Sequence, residues 1–418
     1  MKVKAWKKKF CLLACALLVS FVGAELAVRV YYGERDVGVD ENELCLKQMK
    51  KNLPSDKSRN FVNFTRTGYW ADDPYIGITL KKTYSRKLSI QAEKDVRYLM
   101  FLEDQHNSAG MNNIEEFSWK KPQNVSVRIA LLGDSFTCGG QAPYLFGMAN
   151  MLKELVAGSE VLNFCVGGRG IETMYMRYVL EARNYSPDVV FFNVFVDDLV
   201  RPFGCPLLTP NLTVVDGRLV HGPRQYPSLK DFYDGYQPPI VESYFLKHAA
   251  FVYNARTGYA RDLYKGLEMF GVMLDDVKEK ASADGTEFFV TLIQGPTPSP
   301  VSADVYQRLL SLLKQKDVRF LDGEAYLNKH RQLYRNQSFY YIREGNPLGH
   351  YSVIGYALHA QGMKNLLEDN GVISRTHDYY FVNFNPDDYM MLIPQDFSKT
   401  RTGTELMYPY IVQRAKSG

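Results

Sequence analysis

The chain lacks the residue patterns that bind metals or nucleic acids. No Cys-x-x-Cys pair occurs among its six cysteines, which argues against a zinc site. The formal net charge is only +4, and no basic stripe with interleaved aromatic residues is present. We therefore expect no metal, no cofactor and no nucleic-acid partner.

The sequence also lacks an apolar run long enough for a full membrane span. Five lysines lie within the first nine residues, and the uncharged apolar run of residues 10–24 follows and ends at Glu25. This order is typical of an export signal. A full span needs about 20 apolar residues, so the pattern leans towards cleavage after Ala24, although residues 1–28 also fit a short membrane anchor. We expect an exported protein, secreted or anchored in the cell envelope; its oligomeric state stays open.

The cysteines leave the question of disulfides open. Two of the six lie in the export segment, at residues 11 and 15, and four remain: Cys45, Cys138, Cys165 and Cys205. In an oxidising compartment these four thiols could pair in three ways. Free cysteines also act as small buried hydrophobic residues, and we favour that interpretation.

The central part of the chain alternates predicted strands and helices. Strands are predicted over residues 128–132, 161–166, 188–196, 287–294 and 318–321, and helices over residues 141–156, 171–185, 256–281, 303–316 and 352–368. The run at 188–196 is almost continuously apolar, as expected of a strand buried on both faces of a parallel sheet. The pattern predicts an α/β fold with crossover helices.

Changes in composition divide the chain into segments. Residues 34–124 are mixed and polar, and we expect an N-terminal elaboration that packs on the α/β domain of residues 125–370. Residues 199–255 interrupt the alternation and are rich in proline, glycine and aromatic residues, which indicates an insertion beside the site. Residues 371–418 form a C-terminal extension without assigned structure.

A serine follows the first predicted strand of this domain. The apolar run ends in a tight turn, Gly-Asp-Ser, which displays Ser135 at the carboxyl edge of the sheet, where open α/β sheets place reactive groups. Such a serine needs a base. His350 is the candidate, because it precedes the last amphipathic helix and would reach the same edge. An isolated histidine is more often structural, but the order of strand, serine turn, glycine turn and late histidine favours catalysis.

An acyl-transfer site also needs hydrogen-bond donors where the oxyanion forms. Ser135 can supply its own backbone N–H. Gly168 follows the second predicted strand, where the absence of a side chain lets a backbone N–H approach the reacting carbonyl; a plain turn glycine is the alternative. A third donor is expected after the third strand, where the sequence has Asp197 and Asp198.

These segments resemble, in their order, the sequence blocks of SGNH (GDSL-type) hydrolases. Residues 133–137 resemble the first block, residues 163–170 the second, residues 185–199 the third and residues 350–356 the fifth. The resemblance covers about residues 107–367. It implies a flavodoxin-like three-layer α/β/α sandwich, with Ser135 as nucleophile, His350 as base, Gly168 as oxyanion donor and Asp134 in a supporting role.

The chain departs from this family pattern at two positions. Where the third block usually has an asparagine that donates to the oxyanion, the chain has Asp197, and an ionised carboxylate only accepts hydrogen bonds. Asn193, earlier on the strand, is the alternative donor. The usual aspartate two or three residues before the histidine is replaced by proline and leucine. Glu344 or Asn346 could take its place, or the site is a Ser–His dyad; losing such a carboxylate costs about four decades of turnover in a serine triad.

The resemblance implies an esterase that acts on ester-linked acyl groups, with acylated carbohydrate of the cell envelope or a small ester as substrate. An O-acyltransferase would share the chemistry up to the acyl-enzyme. The two departures also fit a non-catalytic module that binds glycan in the same cleft. Aromatic residues of the insertion suit stacking on sugars, although packing of a long loop is the plainer explanation: Tyr226, Phe232, Tyr233, Tyr236 and Tyr244.

Overall fold

The computed structural model describes residues 70–92, 99–203, 209–224, 244–333, 339–343 and 346–376, together with residues 13, 16–27 and 30 near the N-terminus. Glu344, Cys45, Cys205 and the extension after residue 376 lie outside the described residues. Among the helices of these ranges, none combines the length and the apolar character that crossing a membrane requires.

The described residues form strands and helices that we number in chain order. The strands are β1 (Trp70–Asp73), β2 (Gly77–Leu80), β3 (Tyr84–Ala92), β4 (Leu99–His106), β5 (Val127–Gly133), β6 (Ser159–Asn163), β7 (Val189–Phe195), β8 (Asn211–Val215), β9 (Arg218–Gly222), β10 (Glu287–Ile293), β11 (Arg319–Asp322), β12 (Tyr340–Arg343) and β13 (Asn346–Tyr351). The helices are α1 (Met148–Leu155), α2 (Ile171–Leu180), α3 (Tyr244–Asp284), α4 (Pro300–Gln315), α5 (Gly323–His330) and α6 (Val353–Asp369).

Five parallel strands form the central sheet, in the spatial order β11–β10–β7–β5–β6. The first of these strands in the chain, β5, therefore lies between the second, β6, and the third, β7. This is the flavodoxin-like order, and the crevice at the carboxyl ends of β5 and β7 is its topological switch point, where such sheets bind ligands. The predicted α/β fold with a parallel sheet is confirmed.

Helices cover both faces of the sheet, because alternate strand residues point to opposite sides. Along β7, Val190, Phe192 and Val194 pack in one apolar cluster with residues of α2, α3 and α4. Val189 and Phe191 pack in a second cluster with residues of α1, α5 and α6. Each such fully buried side chain contributes about 1.5–3 kcal/mol. The result is the predicted three-layer α/β/α sandwich.

The described part of the N-terminal elaboration contains two antiparallel hairpins, β1–β2 and β3–β4. Leu80 at the end of β2 packs against Cys165 and Val166 in the loop after β6. Asn113, further along the chain, accepts the N–H of Asn163 at 2.8 Å. This segment therefore packs on the α/β domain beside the end of β6 and the loop that follows it, at the carboxyl edge of the sheet.

Several elements differ from the sequence prediction. The helix predicted from residue 141 begins only at Met148, because Gly139, with φ +79°, packs against Gly147 and holds this segment as a compact turn. The long helix α3 begins at Tyr244 rather than at residue 256, so its first turns fall within the predicted insertion. That insertion also contains the hairpin β8–β9. Helix α5 was not predicted; the Asp322 side chain caps its first turn by accepting the N–H of Ala325.

Candidate active site

Ser135 lies in the turn that directly follows β5. Gly133 ends the strand at a point without room for a side chain, since an added Cβ would lie 1.9 Å from Thr137 Oγ1. The chain then folds back, and the N–H of Gly140 donates to the carbonyl of Ser135 at 2.9 Å. The turn leaves Ser135 partly exposed at the carboxyl edge of the sheet.

His350 reaches this serine from the hairpin β12–β13. Its Nε2 lies 2.6 Å from Ser135 Oγ. Its backbone N–H donates to Gln141 Oε1 at 2.9 Å, and its ring packs on Phe136 with ring centroids 4.9 Å apart. On another side an added Cβ at Gly140 would lie 3.2 Å from the ring. The sequence predicted a loop around His350, whereas an antiparallel strand carries it and fixes the ring against the serine.

Burial lowers the pKa of His350 below its usual value; the Asp134 carboxylate raises this pKa and the Arg201 guanidinium lowers it. The imidazole is therefore neutral at neutral pH, as a general base must be. Its Nδ1 is buried and finds no hydrogen-bond partner within the described ranges. Glu344, one of the two predicted substitutes for an orienting carboxylate, lies outside those ranges. Ser135 and His350 thus stand as a dyad in the described part of the chain.

Asp134 is fully buried beneath the serine. Its Oδ1 accepts the N–H of Phe136 at 2.9 Å. Its Oδ2 lies 3.3 Å from Ser135 Oγ and accepts Arg201 Nη1 at 2.9 Å. The single hydroxyl proton of Ser135 has the shorter contact with His350 Nε2, so the main contribution of Asp134 is to fix the turn and to place a negative charge near the base.

Arg201 is a site residue that the sequence patterns did not single out. Its Nη1 donates to Asp134, to Asp198 and to the carbonyl of Arg169. Asp198, which also accepts the N–H of Phe195 at 3.0 Å, is fully buried, and burial together with the nearby Asp134 raises its pKa well above the usual value. The one sequence feature that could have identified Arg201 is its position shortly after the acidic pair Asp197–Asp198 at the end of a strand.

Asp197 faces the cavity and accepts rather than donates. Its Oδ1 accepts the hydroxyl of Tyr259, on α3, at 2.5 Å, and that hydroxyl also contacts Ser302 Oγ at 2.8 Å. Burial and the hydrogen bond to Asp197 raise the pKa of Tyr259 to about 12, so the phenol is a proton donor at neutral pH. The Asp197 carboxylate is therefore held in place but offers no hydrogen to an oxyanion.

The two remaining predicted oxyanion donors, Gly168 and Asn193, lie outside the set of residues that line the cavity. Gly168 lies exposed in the loop after β6 with φ +72°; it is not among the residues that line the cavity, and its role stays a prediction. Asn193 is fully buried, and its Oδ1 accepts the Thr291 hydroxyl at 2.7 Å, which also contacts His359 Nε2 at 3.0 Å. The alternation of β7 turns Asn193 into the core towards α6, and it is not among the residues that line the cavity; its tentative assignment as an oxyanion donor stays a prediction.

A cavity of about 470 Å³ opens over the serine and the histidine, a size within the range of small-molecule sites. One wall carries Asp197, Arg201 and Phe195, and another carries Gly349 and His350. Polar residues of α3, α4 and the loop after β10 complete it: Tyr259, Gln294, Thr297, Ser299 and Ser302. Within the described ranges, no cluster of three or more His, Cys, Asp or Glu side chains is arranged to hold a metal ion.

Cys138 and Cys165 form a disulfide. The interpretation of these two cysteines as reduced hydrophobic residues is therefore wrong. They lie in the loops that follow the neighbouring strands β5 and β6, with their Cα atoms 5.3 Å apart, and this adjacency in the sheet cannot be read from their spacing along the chain. The bond ties the serine turn to the Gly168 loop.

No protein-family model and no curated protein matches the chain. By its sequence blocks and by the site they form, the chain resembles the SGNH hydrolases. Among solved structures it is similar to a catalytic mutant of an acetylxylan esterase from Geobacillus stearothermophilus, with 14% identity, 58% of this chain and 95% of that chain covered, and a TM-score of 0.36. It is also similar to a member of the lipolytic protein G-D-S-L family from Veillonella parvula, with 13% identity, 57% and 96% coverage, and a TM-score of 0.32.

Proposed function

We propose that the protein is a serine esterase of the SGNH type that hydrolyses ester-linked acyl groups. The observation that carries this proposal is the 2.6 Å contact between Ser135 Oγ and His350 Nε2 in the wall of a cavity. A neutral imidazole within hydrogen-bonding distance can take the serine proton, which is what makes a hydroxyl nucleophilic at neutral pH.

The reaction has two halves. Ser135 Oγ attacks the acyl carbonyl carbon while His350 Nε2 takes the hydroxyl proton, and the carbonyl π electrons move to the oxygen. The tetrahedral intermediate collapses, the alcohol oxygen departs with the proton from His350, and the acyl group stays on Ser135. Water then attacks the acyl-enzyme with His350 again as base, which releases the acid and restores the serine.

Ser135 and Gly168 are the predicted backbone donors to the oxyanion. The N–H groups of Ser135 and Gly168 donate to no backbone carbonyl in the described ranges outside regular helices and strands. Such preorganised N–H groups stabilise the charge that develops on the carbonyl oxygen. Their availability supports a hydrolytic role for the turn and is compatible with the predicted role of Gly168.

We propose acylated carbohydrate of the cell envelope as the substrate, with small esters as minimal substrates. The polar wall supports this choice, because Tyr259, Ser299, Ser302, Thr297 and Gln294 can donate to and accept from sugar hydroxyls. The cavity volume of about 470 Å³ lies within the range of small-molecule sites and is large enough for one acylated sugar unit.

We also propose that the domain acts outside the cytoplasm, secreted or held at the envelope by its N-terminal segment. The basic and apolar order of residues 1–24 supports export. The Cys138–Cys165 disulfide supports it independently, since such bonds persist in oxidising compartments. Cell fractionation, with the mass of the mature N-terminus, separates a cleaved signal from a retained anchor; an unprocessed cytoplasmic protein would contradict the proposal.

The esterase proposal is tested by active-site labelling. Wild-type protein, Ser135→Ala, His350→Ala and the control Ser311→Ala, on the exposed face of α4, are treated with a fluorophosphonate probe and assayed on 4-nitrophenyl acetate and on an acetylated oligosaccharide. We expect labelling and turnover in wild type and in Ser311→Ala, and neither in Ser135→Ala. Equal labelling of wild type and Ser135→Ala, or no turnover by wild type, would reject the proposal.

A glycan-binding module without turnover is the second candidate function. The buried Nδ1 of His350, which finds no acceptor among the described residues, and the carboxylate of Asp197 facing the cavity favour it. Oligosaccharide binding by both wild type and Ser135→Ala, with no release of acid by wild type, would select this function. Transfer of the acyl group to an added alcohol at the expense of hydrolysis would instead indicate an acyltransferase.

A further inference from the structure

The charged groups in the cavity wall are unbalanced for the formation of an oxyanion. Asp134 and Asp197 line the cavity together with Ser135, and both are carboxylic groups. Asp197 is tied to Tyr259 as an acceptor. A negative charge that develops on the substrate carbonyl next to these side chains is repelled by each of them that is ionised. The site therefore needs a compensating positive charge beyond two backbone N–H groups.

Arg201 is the only permanently cationic side chain among the described residues that line this cavity. It also lies close to the nucleophile, because Asp134 Oδ2 accepts Arg201 Nη1 at 2.9 Å and lies 3.3 Å from Ser135 Oγ. A single carboxylate oxygen thus separates the guanidinium from the serine hydroxyl. These two contacts place the Arg201 guanidinium near the serine hydroxyl that attacks the substrate.

The guanidinium is fixed at one corner and open at another. The Nη1 corner is held by Asp134, Asp198 and the Arg169 carbonyl, and the guanidinium carbon lies 5.9 Å from the centre of the Phe195 ring. The side chain is 23% exposed, and Nε and Nη2 are not among the buried unpartnered atoms of the described residues. An arginine held at Nη1 and open at its remaining N–H groups is preorganised to donate to an anionic oxygen.

We propose that Arg201 is a catalytic residue that donates a charged hydrogen bond to the oxyanion of the tetrahedral intermediate. Nε or Nη2 of the guanidinium points its hydrogen at the former carbonyl oxygen and keeps its proton throughout, since arginine stays protonated. The buried side chains of Asp134 and Asp198 hold the cation in place before the substrate arrives, so no reorganisation is needed during the reaction. This inference rests on the proposed esterase function.

The test compares wild type, Arg201→Lys and Arg201→Ala with the control Arg308→Ala, whose side chain is exposed on α4. The uncharged substrate 4-nitrophenyl acetate is used, so that no carboxylate of the substrate can bind the guanidinium. We expect kcat to fall about 10²–10³-fold in Arg201→Ala and about tenfold or more in Arg201→Lys, because an ammonium group lacks the rigid geometry by which the guanidinium binds Asp134 and the oxyanion at once. KM of both Arg201 variants should stay within about threefold of wild type, and so should kcat and KM of Arg308→Ala.

Two further measurements separate this role from a structural one. Millimolar methylguanidinium should restore kcat of Arg201→Ala by about tenfold or more, without changing its melting temperature. Affinity for a boronic acid that mimics the tetrahedral intermediate should fall in Arg201→Lys in step with kcat/KM. If Arg201→Ala does not fold, the kcat and boronate affinity of Arg201→Lys decide the question alone.

The outcomes that overturn the inference are distinct from failure of the esterase itself. Wild-type kcat in Arg201→Lys, together with unchanged boronate affinity, would reject the oxyanion role. A half-ester of a dicarboxylic acid is assayed as a second substrate; unchanged kcat on 4-nitrophenyl acetate with a raised KM for the half-ester alone would make Arg201 a binder of substrate carboxylates instead. Absence of Ser135-dependent turnover in wild type would remove the esterase function and with it this inference, before any Arg201 variant is compared.

Discussion

Cys138 and Cys165 join the two loops that form the predicted oxyanion hole. Cys138 is three residues after Ser135, and Cys165 is three residues before Gly168, so the disulfide links the two loops that carry the backbone N–H groups predicted to bind the oxyanion. Asn112 also helps to fix the loop after β5, because its Nδ2 donates to the carbonyl of Cys138 at 2.8 Å. The spacing of the two donors therefore depends on a covalent bond as well as on the packing of β5 against β6.

We predict that the variant Cys138→Ala/Cys165→Ala is less stable and less active. The bond closes a loop with a sequence separation of 27, for which the chain-entropy model gives about 3–4 kcal/mol of unfolding free energy. Urea unfolding measures that loss, and kcat on 4-nitrophenyl acetate should fall because the two N–H donors are no longer held at a fixed distance. Wild type reduced with dithiothreitol should behave like the variant; an unchanged urea midpoint in both samples would contradict the prediction.

The activity should persist into mildly acidic solution. Burial lowers the pKa of His350 below the usual 6.5, and the base works only when neutral, so kcat/KM rises with pH through a pKa below 6.5 and is level at neutrality. Asp134 raises this pKa, so Asp134→Asn should move the acidic limb to still lower pH. Profiles of kcat/KM from about pH 4 to pH 8 check both statements, and a limb centred above pH 6.5 in wild type would contradict them.

Asp197→Asn should turn an acceptor into a donor. The amide Oδ1 can still accept the Tyr259 hydroxyl, which now contacts Asp197 at 2.5 Å, while the new Nδ2 can donate to the oxyanion and one negative charge is removed. We expect kcat to rise by about tenfold, below the 10²–10³ that a well-placed oxyanion donor supplies. Tyr259→Phe is the comparison variant, because it removes the hydrogen bond to Asp197 without creating a donor, and it should not raise kcat. Equal effects of the two variants would refute the donor explanation.

His359 should make the fold sensitive to acid. Burial lowers its pKa in the folded protein to about 3, whereas an unfolded chain has a histidine pKa of about 6.5. Between these values the unfolded state binds a proton that the folded state does not, so stability falls as pH falls below 6.5, by about 2 kcal/mol at pH 5. His359→Gln should flatten the change in urea midpoint between about pH 7.5 and pH 5, while His330→Gln, at the partly exposed end of α5, should not.

The pairing of Ser135 with His350 was within reach of the sequence. Apolar runs identify the strands, parallel strands bring their carboxyl ends to one edge, and the order of the motifs names the residues at that edge. Periodicity also places Phe191 and Phe192 on opposite faces of β7, as the two apolar clusters show. These predictions depend only on the period of a strand and on the geometry of a parallel sheet.

The remaining features depend on tertiary contacts that no local pattern encodes. Arg201 belongs to the site because its guanidinium meets Asp134, which lies 67 residues earlier. Asn193 was a reasonable donor by type, but the parity of its position on β7 places it against Thr291. The disulfide required knowing that β6 lies beside β5. Each of these features depends on which side chains become neighbours in the fold. The strands and helices predicted from the sequence depend mostly on the residue pattern within one segment.

The distance between nucleophile and base along the chain has a consequence for biosynthesis. Ser135 and His350 are separated by 215 positions, and the base is delivered by a hairpin that precedes the last helix of the sandwich. A ribosome-bound chain that has emerged only as far as β11 already contains the serine turn but lacks its proton acceptor. If the protein is exported while unfolded, the proposed hydrolytic activity begins only after export, when the late hairpin docks on the sheet.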